Sequence, residues 1–204
     1  EQRDENIIHG RELLEREGYN QTLLVGSDAE FGGRDAYFTE HGNYNIVDLN
    51  TLKERGWLRQ DYRKWWGFED AKLFAAAKLE LSALAAQGEP FNFTLLTCDT
   101  HFPDGYHCQE CADEYPERYP TVMRCSSRMV YEFIRWIQTQ PFYENTTIVL
   151  SGDHYPYGLS ESYYSELVGY KVDKFTKYKS SLIFWVGGLE EPVVVDEYCC
   201  NVDI

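Results

Sequence analysis

The chain has 204 residues, enough for one domain with a sizeable core. Its formal net charge of −15 argues against a nucleic-acid-binding protein, because phosphate contacts need clustered lysines and arginines. Aromatic residues make up 16% of the sequence, which argues against disorder. No apolar run approaches the roughly 20 residues of a membrane-spanning helix, and no signal peptide begins at Glu1.

The predicted elements alternate between helices and strands. Helices are predicted where apolar residues recur at helical spacing, and strands where short β-prone runs end at glycine or polar residues. In chain order these are a helix over Asn6–Glu17, strands over Thr22–Val25 and Asn45–Leu49, a helix over Asp70–Gln87, a strand over Phe91–Cys98, a helix over Thr121–Gln140, and strands over Thr146–Leu150 and Leu182–Val186. Such alternation predicts an α/β layered fold with a mostly parallel central sheet flanked by helices.

Neither end of the sequence carries the signals of a domain boundary. Glu1 leads directly into a helical pattern, and Asn201–Ile204 stops at an apolar residue without a terminating signal. We therefore expect residues 1–204 to form a single partial domain, truncated at both ends.

Polar clusters follow several of the predicted strands. They are Gly26–Arg34, Asp99–Gly105 and Asp153–His154. In open α/β sheets, ligands bind beyond the carboxyl ends of the strands, so these clusters are the candidate functional residues.

Asp153 and His154 offer a carboxylate and an imidazole directly after a buried strand. Both are ligands suited to Mn²⁺ or Zn²⁺, and a turn after the strand can direct both side chains to one ion. A solvated turn, with Asp153 capping the next segment, is the alternative interpretation.

Two further residues could contact an anionic substrate. His101 can donate to a phosphoryl oxygen or protonate a leaving alkoxide, although Pro103–Gly105 is also a strong turn sequence in its own right. Arg34 follows a glycine-rich loop and offers a planar set of donors for phosphate. On the residues alone, a glycine-rich loop with Arg34 in a surface ion pair is the favoured interpretation.

The cysteines leave several possibilities open. Cys108 and Cys111 form a CxxC pair, with Cys98, His101, His107 and Cys125 nearby in sequence. A zinc knuckle, a disulfide within the loop or to Cys125, and free thiols all fit this spacing.

Taken together, the motifs resemble those of the lipoteichoic acid synthases and related phosphoglycerol transferases, within the alkaline phosphatase/sulfatase superfamily. The resemblance extends over nearly the whole chain. Its matching segments, in the family's order, are Gly18–Tyr19, Gly26–Arg34, Phe38, His41–Gly42, Trp66–Asp70, Leu96–Tyr106, Ser151–His154 and Asn201–Ile204. Gly32 stands where lipoteichoic acid synthases carry an aromatic residue.

The resemblance implies an alkaline phosphatase-like fold and a metal-dependent phosphoglycerol transfer. A threonine would attack phosphatidylglycerol, release diacylglycerol and pass the phosphoglycerol to a glycan or polyglycerolphosphate acceptor. It assigns Asp153 and His154 as ligands of Mn²⁺ or another divalent cation, and Arg34 and His101 as substrate contacts. The threonine and a glutamate ligand would lie upstream of Glu1, so this chain alone would be inactive and bind metal weakly; Ser27 is the alternative nucleophile.

The parent protein is thus expected at a bacterial cell membrane, with its catalytic domain extracytoplasmic and its membrane tether in an absent N-terminal region. A sulfatase or phosphatase of the same superfamily is the first alternative. A metal-stabilised binding module without catalysis, built around the Cys98–Cys125 region, is an alternative of another class.

Overall fold

A computed structural model of the chain describes residues 10–154, 158–187, 189 and 191–195. These residues divide into two compact units. The first comprises residues 10–100 and 105–133, and the second comprises residues 101–104 and the described part of 134–195. That residues 1–204 form a single partial domain remains a prediction.

The first unit is built on a parallel sheet of β1 (Asn20–Val25), β2 (Asn45–Val47) and β3 (Phe91–Leu96). The strand order is β2-β1-β3, which places β1 in the middle. Asn20 pairs with Phe91 at one end of the ladder and Val25 pairs with Leu96 at the other. Every residue of β1 after Asn20 is buried, as expected for a central strand of a parallel sheet.

Helices surround this sheet. They are α1 (Gly10–Arg16), α2 (Arg34–Glu40), α3 (Leu49–Glu54), α4 (Asp70–Ala85) and α5 (Arg118–Ile137), whose last turn is grouped with the second unit. Helix α4 packs against β1 and β3 and buries Leu73, Ala77 and Leu81 at helical spacing. Phe74 packs on Phe133 of α5, with ring centroids 5.2 Å apart.

The second unit contains a two-stranded antiparallel ribbon of β4 (Thr147–Ser151) and β5 (Leu182–Val186). Two helices lie between these strands in sequence, α6 (Glu161–Val168) and α7 (Lys174–Lys177). Burial alternates between exposed and half-buried along β4, so the ribbon is less enclosed than the parallel sheet.

The predicted α/β fold is confirmed, with differences in detail. Helix α1 covers the described part of the predicted Asn6–Glu17 helix, and residues 6–9 lie outside the described residues. Helices α2, α3, α6 and α7 were not predicted, because each is eight residues or shorter and shows little periodicity. Strands β4 and β5 pair antiparallel instead of joining the parallel set. None of the helices in the described residues combines the length and apolar character needed to cross a bilayer.

Candidate functional site

The loop after β1 is held in place by hydrogen bonds from neighbouring elements. Asp48, the N-cap of α3, accepts from the backbone N–H of Thr51 at 2.9 Å and from that of Ala29 at 3.0 Å. The backbone N–H of Leu49 donates to the carbonyl oxygen of Ser27 at 3.1 Å. The buried Asp48 carboxylate therefore fixes the loop and caps a helix at the same time.

Residues 64–68 cover the same loop. The backbone N–H of Phe68 donates to the carbonyl oxygen of Gly26 at 2.8 Å, and Ser27 forms an antiparallel bridge with Gly67. A Cβ atom on Gly67 would collide with the carbonyl oxygen of Gly26. This close approach explains why a glycine follows Trp66.

Arg34 is oriented back towards the end of β1. Its Nη1 donates to Ser27 Oγ at 3.0 Å, and its guanidinium carbon lies 5.2 Å from the centre of the Phe31 ring. Phe31 in turn contacts Trp66, with ring centroids 5.6 Å apart. Arg34 thus takes part in a hydrogen bond and a cation–π contact, and the surface ion pair that was its alternative is not found among the described residues.

A cavity of about 360 Å³ opens beside this cluster. Its lining residues are Ser27, Asp28, Glu30, Phe31, Arg63 and Trp66. Arg63 is exposed and has no ion-pair partner among the residues that the structure describes. Ser27 is therefore bonded to Arg34 and lines a cavity that Arg63 also lines.

Two buried carboxyl groups, those of Asp70 and Asp99, lie near the carboxyl end of β3. Asp70 Oδ1 accepts from the backbone N–H of Cys98 at 2.8 Å. Neither carboxyl oxygen of Asp99 has a hydrogen-bond partner among the described residues. Burial raises the pKa of Asp70 to about 6, and burial together with the charge of Asp70 raises the pKa of Asp99 to about 8. At neutral pH this pair therefore retains a proton that separate carboxyl groups would release.

The sequence did not reveal this pair. Asp70 looks like a helix-capping aspartate, but the N-cap of α4 is Glu69 and the Asp70 side chain is buried against the end of β3. The available signal was that Asp99 directly follows a buried strand.

His101 lies in the second unit and is exposed. Its Nδ1 bonds to the carbonyl oxygen of Phe102 at 2.8 Å. Because a carbonyl only accepts, Nδ1 is the donor in this bond. The predicted role of His101 as a substrate contact remains a prediction.

Asp153 and His154 also lie in the second unit, just after β4. The backbone N–H of His154 donates to Asp153 Oδ1 at 3.0 Å, and His154 Nε2 lies 3.6 Å from Asp153 Oδ2. Both side chains are solvent-accessible. Their donor atoms fit a divalent cation, but among the described residues no third His, Cys, Asp or Glu side chain completes a cluster with them.

A separate cluster of thiols lies in the first unit. Cys108 Sγ is 3.6 Å from Cys111 Sγ and 3.9 Å from Cys125 Sγ, and all three cysteines are free. Burial raises the pKa of the Cys108 and Cys111 thiols. Cys98, His101 and His107, which the sequence placed near a possible zinc knuckle, are not members of this cluster.

Comparison with known proteins identifies the family. A family model described as Sulfatase matches residues 11–204. The chain belongs to the sulfatase family. It is 32% identical over 156 residues to phosphoglycerol transferase I of Salmonella choleraesuis (strain SC-B67) and 31% identical to that of Citrobacter koseri. Each match covers 74% of this chain and 20% of the relative, so the chain spans about a fifth of the length of these curated relatives.

Solved structures share the fold. The lipoteichoic acid synthase LtaP from Listeria monocytogenes matches with a TM-score of 0.71 at 18% identity, over 88% of this chain and 46% of that one. An alkaline phosphatase superfamily protein from Vibrio parahaemolyticus matches with a TM-score of 0.67 at 17% identity, over 88% and 41% of the two chains. Streptococcus pyogenes phosphoglycerol transferase GacH, solved with sn-glycerol-1-phosphate, matches with a TM-score of 0.52 at 15% identity, over 82% and 43%. The family and the alkaline phosphatase-like fold that the motifs predicted are confirmed.

Proposed function

We propose that the chain is part of a metal-dependent phosphoglycerol transferase that moves glycerol phosphate from phosphatidylglycerol to a glycan or polyglycerolphosphate acceptor. The named relatives at 31–32% identity support the reaction class. The observation that carries the proposal is that Arg34 bonds to Ser27, which lines a cavity that Arg63 also lines, in a chain with a net charge of −15.

This placement suits a phosphate diester. Arg34 holds its guanidinium at Ser27 by a hydrogen bond and by contact with Phe31, so little side-chain entropy remains to be lost when an anion binds. Arg63 adds a positive charge at the cavity, whose lining also holds the carboxylates of Asp28 and Glu30. The adjacent aromatic rings of Phe31 and Trp66 offer an apolar wall for the glycerol carbons, and they do so although the neighbouring position 32 is a glycine.

Asp153 and His154 are the residues of this chain that would hold the metal. Superfamily members generally use divalent metals. A bound divalent cation would neutralise charge on the phosphoryl oxygens and activate the attacking hydroxyl. Asp153 supplies a carboxylate oxygen and His154 a ring nitrogen, and both are accessible at the end of β4.

His101 would contact the phosphoglycerol, as the family motif implies, with its Nδ1 donating to the Phe102 carbonyl at 2.8 Å. The attacking threonine is proposed to lie upstream of this sequence. Ser27 is a weaker candidate, because it is buried and its hydroxyl already accepts from Arg34.

The proposed setting is the outer face of a bacterial cell membrane, where phosphatidylglycerol and the acceptor meet. The anchor would belong to a region outside this sequence.

The test is release of diacylglycerol from phosphatidylglycerol vesicles by the full-length enzyme. Arg34→Ala should lower kcat/KM by about 100-fold, the usual loss when one charge-stabilising donor is removed. Arg59→Ala is the matched control, because Arg59 is exposed and pairs with the exposed Asp61 at the surface. Normal turnover by Arg34→Ala would remove this residue from the site, and hydrolysis of sulfate esters without diacylglycerol release would favour a sulfatase instead.

The isolated chain gives a second test. Asp153 and His154 provide two ligands, whereas catalytic metal sites commonly use three protein ligands and an open position. We expect calorimetric titration of the 204-residue chain to show weak Mn²⁺ binding and no diacylglycerol release. Tight one-to-one binding of Mn²⁺ with turnover would contradict a threonine nucleophile upstream of this sequence and would favour Ser27 as the nucleophile.

A further inference from the structure

We propose that Cys108, Cys111 and Cys125 form a zinc site that is separate from the phosphoryl-transfer site. The three sulfur atoms lie within 4.8 Å of one another. Two of them come from the loop after Gly105, and the third comes from helix α5. An ion bound here would fasten that loop to the helix.

The sulfur separations agree with a shared tetrahedral ion. In zinc–thiolate sites the Zn–S bond is about 2.3 Å, so two sulfurs on one ion lie about 3.8 Å apart. Cys108 Sγ is 3.6 Å from Cys111 Sγ and 3.9 Å from Cys125 Sγ. A disulfide would join two of these sulfurs and leave the third beside the bond, whereas an ion engages all three.

Several backbone and side-chain donors face the sulfurs. The backbone N–H of Glu110 is directed to Cys108, and the N–H of Cys111 donates to the carbonyl oxygen of Cys108 at 3.2 Å, which closes the CxxC turn. Arg128 Nη2 donates to Cys125 Sγ at 3.8 Å and to the carbonyl oxygen of Glu110 at 2.7 Å. Three thiolates and Zn²⁺ carry one net negative charge, and the Arg128 guanidinium, which also pairs with Glu132 at 3.1 Å, lies beside it.

The chemical class of the ion follows from the ligands. Thiolate sulfur is a soft donor that selects zinc over the harder cations that oxygen ligands prefer. Binding releases three protons from the thiols and forms three Zn–S bonds. Cys111 is half-exposed, so a water molecule can complete the coordination on that side.

The experiment is metal analysis of the 204-residue chain, purified under reducing conditions with Zn²⁺ and without chelators. We expect one zinc per chain, and loss of it in Cys108→Ser and Cys111→Ser. Cys98→Ser is the matched control and should keep its zinc, because Cys98 is outside the cluster. Asp153→Ala should also keep it, which separates this site from the proposed catalytic metal.

Two further measurements test the zinc site even if the cysteine variants do not fold. Cobalt substitution of the unaltered chain should give an intense thiolate-to-cobalt absorption band. Arg128→Gln should weaken zinc affinity by about 10- to 100-fold, the usual effect of losing a group that supports a ligand. Arg124→Gln, on the same helix but paired with Glu114, should leave affinity unchanged.

Other outcomes would overturn the proposal. A zinc-free chain whose intact mass shows a disulfide between two of these cysteines would establish a covalent link instead. A zinc-free chain whose thiols all react freely would show that the cluster holds nothing. Retention of zinc in both Cys108→Ser and Cys111→Ser would place the ion elsewhere.

Discussion

The parallel sheet of the first unit and the ribbon of the second support their candidate residues in different ways. The loop after β1 is fixed by Asp48, by the backbone contacts of Gly67 and by the Arg34–Ser27 hydrogen bond. After β4, Asp153 and His154 lie on an exposed turn, where the backbone N–H of His154 donates to Asp153 Oδ1. The proposed substrate contact Arg34 therefore lies on a loop held by buried hydrogen bonds, whereas the proposed metal ligands lie on an exposed segment.

The largest expected effect is at Gly67. In Gly67→Ala the new Cβ would collide with the carbonyl oxygen of Gly26, so the free energy of unfolding should fall by about 3 kcal/mol. Urea denaturation measures this loss, and hydrogen exchange should increase in β1 and not in β4. Gly10→Ala is the control, because nothing lies within 4 Å of its added Cβ. Equal loosening of β4 would break the comparison between the two units.

The next effect is at Asp48. Asp48→Ala removes the N-cap of α3 and the acceptor of the Ala29 N–H, both in a buried setting. We expect a loss of about 2 kcal/mol in unfolding free energy. In the full-length enzyme the KM for phosphatidylglycerol should rise as well, because the loop that carries Arg34 loses its support. A stable variant with unchanged KM would show that the loop does not need this anchor.

The buried carboxyl pair gives the first unit a pH dependence. A carboxyl whose pKa is raised by folding binds protons more tightly in the folded state, so stability falls as pH rises. The fall should begin near the ordinary carboxyl pKa of about 4. It should end near the raised pKa values of Asp70 and Asp99, about 6 and about 8.

Asp99→Asn tests that dependence. The variant should show a flatter stability profile over this range and a gain on the order of 1 kcal/mol at its upper end. Chemical denaturation at a series of pH values measures both. Asp61→Asn, on an exposed carboxylate, is the control. An unchanged profile in Asp99→Asn would mean that the pair does not hold an extra proton.

The smallest effect is expected in the second unit. Ser160 caps α6 by accepting from the backbone N–H of Tyr163 at 3.1 Å, in an exposed setting. Ser160→Ala should cost about 0.5 to 1 kcal/mol, with its increased hydrogen exchange confined to α6. A cost as large as that of Asp48→Ala would show that the second unit is as tightly organised as the first.

Local patterns in the sequence were enough to predict most of the strands and long helices of the first unit. Strands β1 and β3 can be predicted from their apolar runs, and helices α4 and α5 from apolar residues at helical spacing. Neither prediction needs the elements against which they pack. The polar residues after β1 and β3 could be placed at one edge because parallel strands share that edge. The family motifs at Ser27, Arg34 and Trp66 indicated the segments that the structure shows beside the cavity.

Other features depend on contacts between distant residues. The burial of Asp70 requires the backbone of Cys98, 28 positions away, and no pattern around Asp70 shows it. The place of Arg63 at the cavity depends on how residues 64–68 fold over the β1 loop. The antiparallel pairing of β4 and β5 depends on the path of residues 152–181, since both runs look equally suited to a parallel sheet.

The central position of β1 has a consequence for biosynthesis. Gln21, in β1, hydrogen-bonds to Asn92, in β3, 71 positions later in the chain. At translation rates of about 5 to 20 residues per second, β1 would wait roughly 4 to 14 seconds for that partner to be made. Strand β2 is made early in this interval, but the edge of β1 that pairs with β3 stays open until β3 emerges. The strand in the middle of the finished sheet therefore presents an open apolar edge to other nascent chains for several seconds while the chain is being made.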